Sequence, residues 1–402
     1  MSRTPAARPL LTPLVPLYRL AVGWRELRLA RGWEQVRRLE RPVVSIGNLT
    51  AGGAGKTPFA IALAQALTRR GVAVDLLSRG YGRTSKLAAR VNVEGTAEEF
   101  GDEPLLIARA AGVPVYVASR RFEAGRLAEA GLESARLQTC KSEGEEEAGA
   151  SQAAGKRLRL AFSVRKVQQG LKPFSSSGTG CGPAEAVPCY KAPDSEGNSS
   201  LALHLLDDGF QHRQLHRDID IVLLSRADLG DRLLPAGNLR EPLSALQRAT
   251  VIAIPADEPE MEEHLNELLT IDRNSESQRW QGPVWRVRRQ MQVPAVEGPV
   301  VAFCGIARPA QFFAGLEAAG MHLASRIAFA DHQLYREHEL DCIQDAARSS
   351  GATAILTTEK DLVRMGALAG TLSASIPLLA VPLRTEIEDE DAAIDWLLQR
   401  LQ

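Results

Sequence analysis

The stretch SIGNLTAGGAGKTPFA, residues 45–60, places Gly52, Gly53 and Gly55 between two segments of different periodicity. The β-branched run RPVVSIGN before the glycines is typical of a buried strand, and the apolar spacing of KTPFAIALAQALTRRG after them is typical of a helix. A glycine-rich turn in this position lets backbone N–H groups approach phosphate oxygens at a range that Cβ atoms would obstruct, and the helix N-terminus adds a positive field. The stretch therefore predicts a phosphate-binding loop.

Lys56 and Thr57 complete the pattern GGxGKT. In such loops the lysine reaches the terminal phosphates of a nucleoside triphosphate, and the hydroxyl group binds Mg²⁺. The predicted nucleotide-binding residues are Thr50, Ala51, Gly52, Gly53, Ala54, Gly55, Lys56 and Thr57. The pattern GxxxxGK[ST] asks for glycine at position 50, where this chain has threonine, so we expect a variant phosphate cradle.

A second acidic element follows later in the sequence. The apolar run of LHLLDDGF leads directly into Asp207 and Asp208. Paired carboxylates in a surface loop are usually a solvated turn, but at the carboxyl end of a buried strand they lie where α/β sheets bind ligands. We therefore predict that Asp207 and Asp208, together with Thr57, bind the Mg²⁺ ion.

The destination of the phosphoryl group stays open at this point. Transfer to water would indicate an ATPase or GTPase switch that binds a protein or metal partner, and transfer to an alcohol would indicate a small-molecule or lipid kinase. Switch-type ATPases with this loop usually carry an extra lysine just before the glycines, and that position is Ala51 here. This difference favours a kinase.

Strands and helices alternate along most of the chain, which predicts an α/β fold: a P-loop NTPase-type parallel sheet domain with a second, smaller α/β domain. We assign residues 1–41 to a basic amphipathic arm, 42–282 to the kinase domain and 283–402 to the smaller domain. Residues 133–200 lose this periodicity and are rich in Gly, Ser, Glu and Pro, so we predict a disordered insertion there.

The charge of the whole chain is close to neutral, at −1, which gives no reason to expect a nucleic acid partner. Residues 1–41 differ, because nine arginines face only three glutamates there. Apolar residues are interleaved with the arginines. Two interpretations are open: an amphipathic arm on an anionic membrane surface, or an ordinary helix packed on the core.

Several motifs occur in a fixed order along the chain. They are SIGNLTAGGAGKTP, LSRGYGR, GDEP, LLDDGFQHRQLHRDIDIVL, LLPAGNLREP, FCGIARPAQF, FADHQLY and TTEKDLVR. In this order they resemble those of the tetraacyldisaccharide 4′-kinases, the lipid A 4′-kinases of Gram-negative bacteria. The resemblance covers nearly the whole chain apart from residues 133–200.

The resemblance implies transfer of the γ-phosphoryl group of ATP, with Mg²⁺, to the 4′-hydroxyl of a tetraacylated glucosamine disaccharide 1-phosphate. It implies that the protein works at the cytoplasmic face of the bacterial inner membrane, with a lipid disaccharide substrate and the membrane surface as partners. It also implies that the arm of residues 1–41 faces the membrane, and that a pair of hinge strands in residues 283–402 joins the smaller domain to the kinase domain.

The same resemblance assigns site residues by motif. Asp102 in GDEP matches a proposed catalytic base with Glu103 as its neighbouring helper, although acidic residues are also favoured at the start of a helix. His332 in FADHQLY matches a histidine of the second domain that reaches the nucleotide phosphates when the hinge closes. Further phosphate or lipid contacts are implied for Ser78, Arg79, Gln211, His212 and Arg240.

Overall fold

The computed structural model describes residues 8–131, 201–269 and 280–402. The predicted insertion at 133–200 lies outside the described residues. The strands, in chain order, are β1 (Val43–Asn48), β2 (Ala73–Ser78), β3 (Ala89–Arg90), β4 (Val115–Val117), β5 (Ala202–Asp207), β6 (Ile219–Leu223), β7 (Val251–Pro255), β8 (Val284–Met291), β9 (Pro299–Cys304), β10 (His322–Ala328), β11 (Ala354–Thr358), β12 (Leu378–Val381) and β13 (Leu383–Ile387).

The helices are α1 (Val15–Ala30), α2 (Lys56–Arg69), α3 (Ala97–Phe100), α4 (Asp102–Ala111), α5 (residues 121–131), α6 (Arg226–Leu229), α7 (Glu260–Leu269), α8 (Pro309–Ala318), α9 (Glu337–Ser350), α10 (Glu359–Met365), α11 (Leu368–Ser373) and α12 (Glu390–Leu401). Short 3₁₀ helices lie at Pro9–Leu14 and Leu243–Arg248.

The larger sheet has, within the described part of the chain, nine strands in the order β13-β8-β7-β6-β1-β5-β2-β4-β3. Neighbouring strands are parallel except at the two edges, where β3 and β13 run antiparallel to β4 and β8. Strand β1 lies between β5 and β6, with Ile46 opposite both Asp207 and Ile221. The carboxyl ends of these three strands therefore meet at one edge of the sheet, which is where α/β sheets bind ligands.

The core of this sheet follows from its sequence. All six residues of β1 are buried, as expected for a central parallel strand with helices on both faces. Helix α2 buries an apolar stripe that includes Phe59, Leu63 and Leu67. Each such side chain contributes roughly 1.5–3 kcal/mol when removed from water. The predicted strand and helix on either side of the glycine-rich loop are thus both packed in the core.

The smaller sheet has the order β10-β9-β11-β12, and all its pairs are parallel. Its own core contains Phe303, Ile343 and Ile355. The predicted fold class, a P-loop-type parallel sheet with a second, smaller α/β part, is confirmed.

The two segments that flank the smaller sheet belong to the larger one. Strands β8 and β13 pair with each other, from Met291 opposite Leu383 to Val287 opposite Ile387, and β8 also pairs with β7. Helix α12 contacts α2 and β13. Residues 283–402 therefore contribute to both sheets, while the division of the chain into domains at residue 283 stays a prediction.

The N-terminal arm forms a 3₁₀ turn followed by α1, which has no buried residue. Large apolar side chains on it, including Leu17, Leu20 and Trp24, are exposed. Among the described residues, no helix has both the length and the apolar character needed to cross a membrane.

Candidate active site

The glycine-rich loop, residues 50–57, joins β1 to α2. Gly52 and Gly55 have φ angles of 110° and 79°, a region that side-chain-bearing residues rarely adopt. Gly55 is the N-cap of α2 and makes no side-chain capping hydrogen bond. The first backbone N–H groups of α2 are therefore not capped by that residue, which is the arrangement that suits an anion at a helix N-terminus.

Thr50, at the position where the usual motif has glycine, is buried. Asn48 Nδ2 donates hydrogen bonds to the backbone oxygen of Thr50 at 2.8 Å and to Thr50 Oγ1 at 3.0 Å. The next residue, Ala51, donates its N–H to the Asn238 carbonyl oxygen at 2.8 Å. The start of the loop is thus held by side-chain and main-chain bonds, which accounts for a threonine at this position.

Lys56 lies between two oxygen acceptors. Its Nζ is 2.8 Å from Asn48 Oδ1 and 3.3 Å from Asp208 Oδ1. The structure therefore brings the predicted phosphate-binding lysine next to one of the two predicted metal-binding aspartates. Thr57 is the second residue of α2.

Asp207 and Asp208 have different environments although they are adjacent. Asp207, at the end of β5, is buried, and its Oδ1 has no hydrogen-bond partner. Its Oδ2 accepts a hydrogen bond of 3.4 Å from Ser78 Oγ. Burial, followed by the negative charges of Glu103 and Asp208, raises the pKa of Asp207 to about 7.

Asp208 is compensated by cations. It adopts a positive φ angle of 49°, and its carboxylate accepts hydrogen bonds from Arg240 Nη1 at 3.1 and 3.0 Å. Burial acts to raise its pKa, but the charges of Lys56 and Arg240 outweigh burial and lower the pKa to about 2. One carboxylate is therefore satisfied by the protein and the other is not.

The unsatisfied Asp207 oxygen is a feature that a hard cation would relieve. Among residues 8–131, 201–269 and 280–402, no group of three or more His, Cys, Asp or Glu side chains could hold a metal ion by itself. Mg²⁺ usually binds through one or two carboxylates and completes its shell with water and substrate phosphates. The unpaired oxygen of Asp207 fits such a site, to which Asp208 and the hydroxyl group of Thr57 are the other predicted ligands.

Gln211 and Arg240, which the sequence suggested as substrate contacts, bond to the site itself. Gln211 Nε2 donates to the Asn48 carbonyl oxygen at 2.8 Å, and Arg240 Nη1 lies 3.3 Å from Gln211 Oε1. The Arg240 N–H donates to the Leu49 carbonyl oxygen at 2.7 Å. These two residues connect the end of β1, just before the glycine-rich loop, to Asp208.

His212 is surrounded by cations. Burial, followed by the charges of Arg121, Arg217, Arg25 and Arg79, lowers its pKa to about 3, so its imidazole is neutral at physiological pH. Arg121, which the sequence analysis did not identify, is buried and donates from Nη2 to the Asp208 carbonyl oxygen at 3.1 Å. Arg121 follows β4 at the carboxyl edge of the sheet. This position after a predicted strand could have identified it as a site residue, because α/β sheets bind ligands at that edge.

Asp102 and Glu103 begin α4, as the sequence predicted. Asp102 is buried, and its Oδ1 accepts the Glu103 N–H at 2.9 Å, so it does serve the helix start. Its Oδ2 lies 3.2 Å from His332 Nδ1 and accepts a hydrogen bond of 2.6 Å from Arg364 Nε. The structure therefore brings together the two residues that the motifs suggested, although Asp102 begins α4 beside the larger sheet and His332 follows β10 of the smaller sheet.

Two basic side chains from α10, Lys360 and Arg364, complete this cluster. Lys360 Nζ donates to Glu103 Oε1 at 2.8 Å. Burial acts to raise the pKa of Asp102, yet the hydrogen bond from His332 and the charges of Lys360 and Arg364 hold it well below its ordinary value. The His332 ring also packs against Tyr81 at 5.5 Å between ring centroids.

A further arginine that the sequence analysis missed reaches the glycine-rich loop from β8. Arg289 Nη2 donates to the Ala54 carbonyl oxygen at 2.6 Å. A Cβ atom at Gly55 would lie 2.6 Å from Arg289 Cζ, so this glycine is needed for the approach of the guanidinium as well as for its φ angle. Ala307 lies in the smaller-sheet region, residues 299–381, which runs from the start of β9 to the end of β12. Its Cβ would be 3.8 Å from a Cβ at Gly52.

Replacing Asp207 with Asn should stabilise the metal-free protein, and more so at pH 8 than at pH 5. An unfolded Asp titrates near about 3.9, whereas the folded pKa is about 7, so folding takes up a proton between these values. Stability therefore falls as pH rises through that window, and the Asn variant escapes this loss. Thermal melts in a chelator would measure the difference.

Added Mg²⁺ should raise the melting temperature of the parent at pH 8 and have little effect on the Asp207→Asn variant. Asp345→Asn, at a side chain that is 75% exposed, is the matched control. Equal responses of the two variants to pH and to Mg²⁺ would contradict the metal assignment.

Comparison with known proteins supports the motif-based resemblance. A family model described as tetraacyldisaccharide-1-P 4′-kinase, LpxK, matches residues 7–137 and 195–402. The tetraacyldisaccharide 4′-kinase of Koribacter versatilis is 34% identical over 404 residues, covering 98% of this chain and 99% of the relative. That of Neisseria gonorrhoeae is 32% identical over 366 residues, covering 88% and 82%.

A solved structure is similar along the whole chain. It is the "apo" form of LpxK from Aquifex aeolicus in complex with ATP, with a TM-score of 0.62 and 27% identity over 99% of this chain and 100% of that one. The family predicted from the motifs is thus confirmed. The chain belongs to the tetraacyldisaccharide 4′-kinase family and is a kinase.

Proposed function

We propose that this kinase transfers the γ-phosphoryl group of ATP to the 4′-hydroxyl of a tetraacylated glucosamine disaccharide 1-phosphate in lipid A biosynthesis. The observation that carries the proposal is that the phosphate-binding loop and the GDEP motif both act on the Asp207–Asp208 pair. Lys56 of the glycine-rich loop contacts Asp208, and the charge of Glu103, next to Asp102, acts on Asp207. The names of the relatives and the ATP complex of the Aquifex aeolicus structure support this substrate pair.

The glycine-rich loop would hold the ATP phosphates. The uncapped N–H groups of α2 would donate to phosphate oxygens, and Lys56 would neutralise charge on the group being transferred. Mg²⁺, held by Asp207 and Asp208 with the Thr57 hydroxyl, would supply further neutralisation of the phosphates. Arg289 would add a positive charge at the Ala54–Gly55 side of the loop, because its guanidinium already contacts it.

The Asp102–His332 pair would accept the proton of the attacking hydroxyl. Asp102 alone is a weak base, because its neighbours hold its pKa well below the ordinary value. With Nδ1 of His332 directed to the Asp102 carboxylate, its Nε2 is left to take the hydroxyl proton, which an imidazole can hold and such a carboxylate cannot. Asp102 then orients the ring and stabilises the imidazolium.

The lipid acceptor would approach from the side of the N-terminal arm. The exposed Leu17, Leu20 and Trp24 would enter the membrane interface, and the surplus of arginines would face anionic headgroups. The arm also contacts the site. Tyr18 Oη donates to the Arg240 carbonyl oxygen at 2.9 Å, and Arg25 Nη2 donates to the Gln211 carbonyl oxygen. We therefore propose that the protein binds the cytoplasmic face of the bacterial inner membrane through this arm.

Substrate contacts are proposed for side chains near this arm. Arg79 and the neutral His212 lie within the cluster of positive charge that would attract the phosphate of the acceptor. The two aspartates would be held in place by the other three candidates. Ser78 donates to Asp207, Arg240 donates to Asp208, and Arg240 also donates to Gln211.

The proposal is tested with the purified protein in detergent, ATP, Mg²⁺ and a defined tetraacyl disaccharide 1-phosphate. We expect mass spectrometry to find one added phosphate on the 4′-oxygen, and the Lys56→Ala variant to form none above background. ATP hydrolysis that is independent of the lipid, with no phosphorylated lipid, would instead support a nucleotide switch.

Asp102→Asn should lower kcat by about 10²–10⁴-fold, which is the usual contribution of a positioned acid–base group. The affinity for ATP should stay close to that of the parent. The melting temperature should fall, because asparagine still accepts the Glu103 N–H but leaves the buried Arg364 without the charge of its carboxylate partner. Glu98→Gln, an exposed acid one helix earlier, is the matched control. A parental kcat in the Asp102→Asn enzyme would exclude Asp102 from proton transfer and leave it a structural role only.

Arg289→Gln should weaken ATP binding about tenfold, because it removes a charged hydrogen-bond donor that contacts the phosphate-binding loop. Isothermal titration with ATP measures this effect. The matched control is Arg288→Gln, whose side chain is 63% exposed and pairs with Glu388 instead. Equal affinities in the two variants would remove Arg289 from the nucleotide site.

A further inference from the structure

Arg364 of α10 is a buried cation, and its side chain is only 3% exposed. A guanidinium at this depth is tolerated when its donors are paired. Nε donates to Asp102 Oδ2 at 2.6 Å, Nη1 to Asp361 Oδ1 at 3.1 Å, and Nη2 lies 3.3 Å from His332 Nδ1. Nη1 also donates to the Gly305 carbonyl oxygen at 2.5 Å. Nε and Nη1 are therefore paired with oxygen acceptors, while Nη2 lies beside the His332 ring, whose Nδ1 is directed to Asp102.

Asp361 fixes the guanidinium from the other side. It is fully buried and accepts hydrogen bonds from Tyr335 Oη at 2.9 Å and Thr358 Oγ1 at 2.6 Å. It also accepts the Gly305 N–H at 3.1 Å. These donors all belong to the smaller-sheet region, so the direction of Arg364 is set there, independently of Asp102.

Asp102, by contrast, receives little support from its own helix. The Glu103 N–H is its hydrogen bond within α4, while Arg364, His332 and the more distant Lys360, at 3.9 Å, come from the smaller-sheet region. The position of the Asp102 carboxylate relative to His332 thus depends on a side chain that touches both.

We infer that Arg364 is a positioning residue of phosphoryl transfer: anchored by Asp361, it holds the Asp102 carboxylate against the His332 imidazole. This inference rests on the proposed function of the Asp102–His332 pair. A purely structural role, holding α10 against α4, would involve the same contacts but would not affect the protonation of the pair.

The pH dependence of kcat separates the two roles. The charged or titratable groups that face Asp102 are Arg364, Lys360 and His332 from the smaller-sheet region and Glu103 on its own helix, with Asp331 4.0 Å from Arg364. Arg364 lies beside both members of the pair, so its removal increases the proton affinity of each. The acid limb of the profile must then move to higher pH whichever member limits the rate.

The experiment measures kcat against pH for the full chain with lipid acceptor, ATP and Mg²⁺. Arg364→Met should lower kcat by about 10²-fold, as expected for a small misplacement of reacting groups, and shift the acid limb upward by about one pH unit, with little change in KM for ATP. Arg364→Lys, which keeps the charge but not the fork, should keep the acid limb in place and still lose about tenfold in kcat.

The matched control is Arg384→Met, which removes an ion pair to Glu359 of the same helix without touching Asp102. It should leave both kcat and the pH profile as in the parent. An acid limb unchanged in Arg364→Met, or a parental kcat in Arg364→Lys, would overturn the inference. If Arg364→Met does not fold, Arg364→Lys decides, with its melting temperature measured beside kcat: a tenfold loss of kcat at a parental melting temperature supports the positioning role, and a parental kcat overturns it. A parent that phosphorylates no lipid would instead refute the proposed function.

Discussion

The parallel pairing of β1 between β5 and β6 is the constraint on which the site depends. Because Ile46 lies opposite Asp207, the chain after β1 and the chain after β5 leave the sheet side by side. The first becomes the glycine-rich loop and the second becomes the Asp207–Asp208 pair. Shifting a parallel strand by one residue would turn its side chains to the other face and would separate Lys56 from Asp208.

Charge compensation then divides the carboxylates of the site into two kinds. Asp102 and Asp208 are each paired with two or more cations, and their pKa values are lowered. Asp207 has an unpartnered oxygen and a raised pKa, although it is next to Asp208 in the sequence. A buried carboxylate without a partner costs free energy, so this arrangement fits a position where a ligand supplies the missing charge. The ion pairs of Asp102 and Asp208 with lysine and arginine side chains thus distinguish these two carboxylates from Asp207.

The sequence was sufficient to predict what is local. The loop, the strand before it, the helix after it and the two aspartates at the end of β5 were recognised because each depends on neighbouring residues and a short period. The family motifs added Asp102 and His332. Four of the missed residues are basic, Arg121, Arg289, Lys360 and Arg364, and two are not, Asn48 and Asp361. A basic residue in a strand or helix is most often on a solvated face, and 262 positions separate Asp102 from Arg364, so no local pattern could indicate their contact.

The pairing of Met291 with Leu383 means that the chain leaves the larger sheet and returns to it at the same point. Everything between these residues is, in topological terms, an inserted module. During synthesis, the larger sheet must therefore wait for a complete second sheet before it receives its edge strand β13. Helix α12, with Glu390 and Asp391 paired to Arg69 and Arg70 at the far end of α2, arrives later still. The helix that begins at the phosphate-binding loop is among the first elements to leave the ribosome, yet it is among the last to be fully covered.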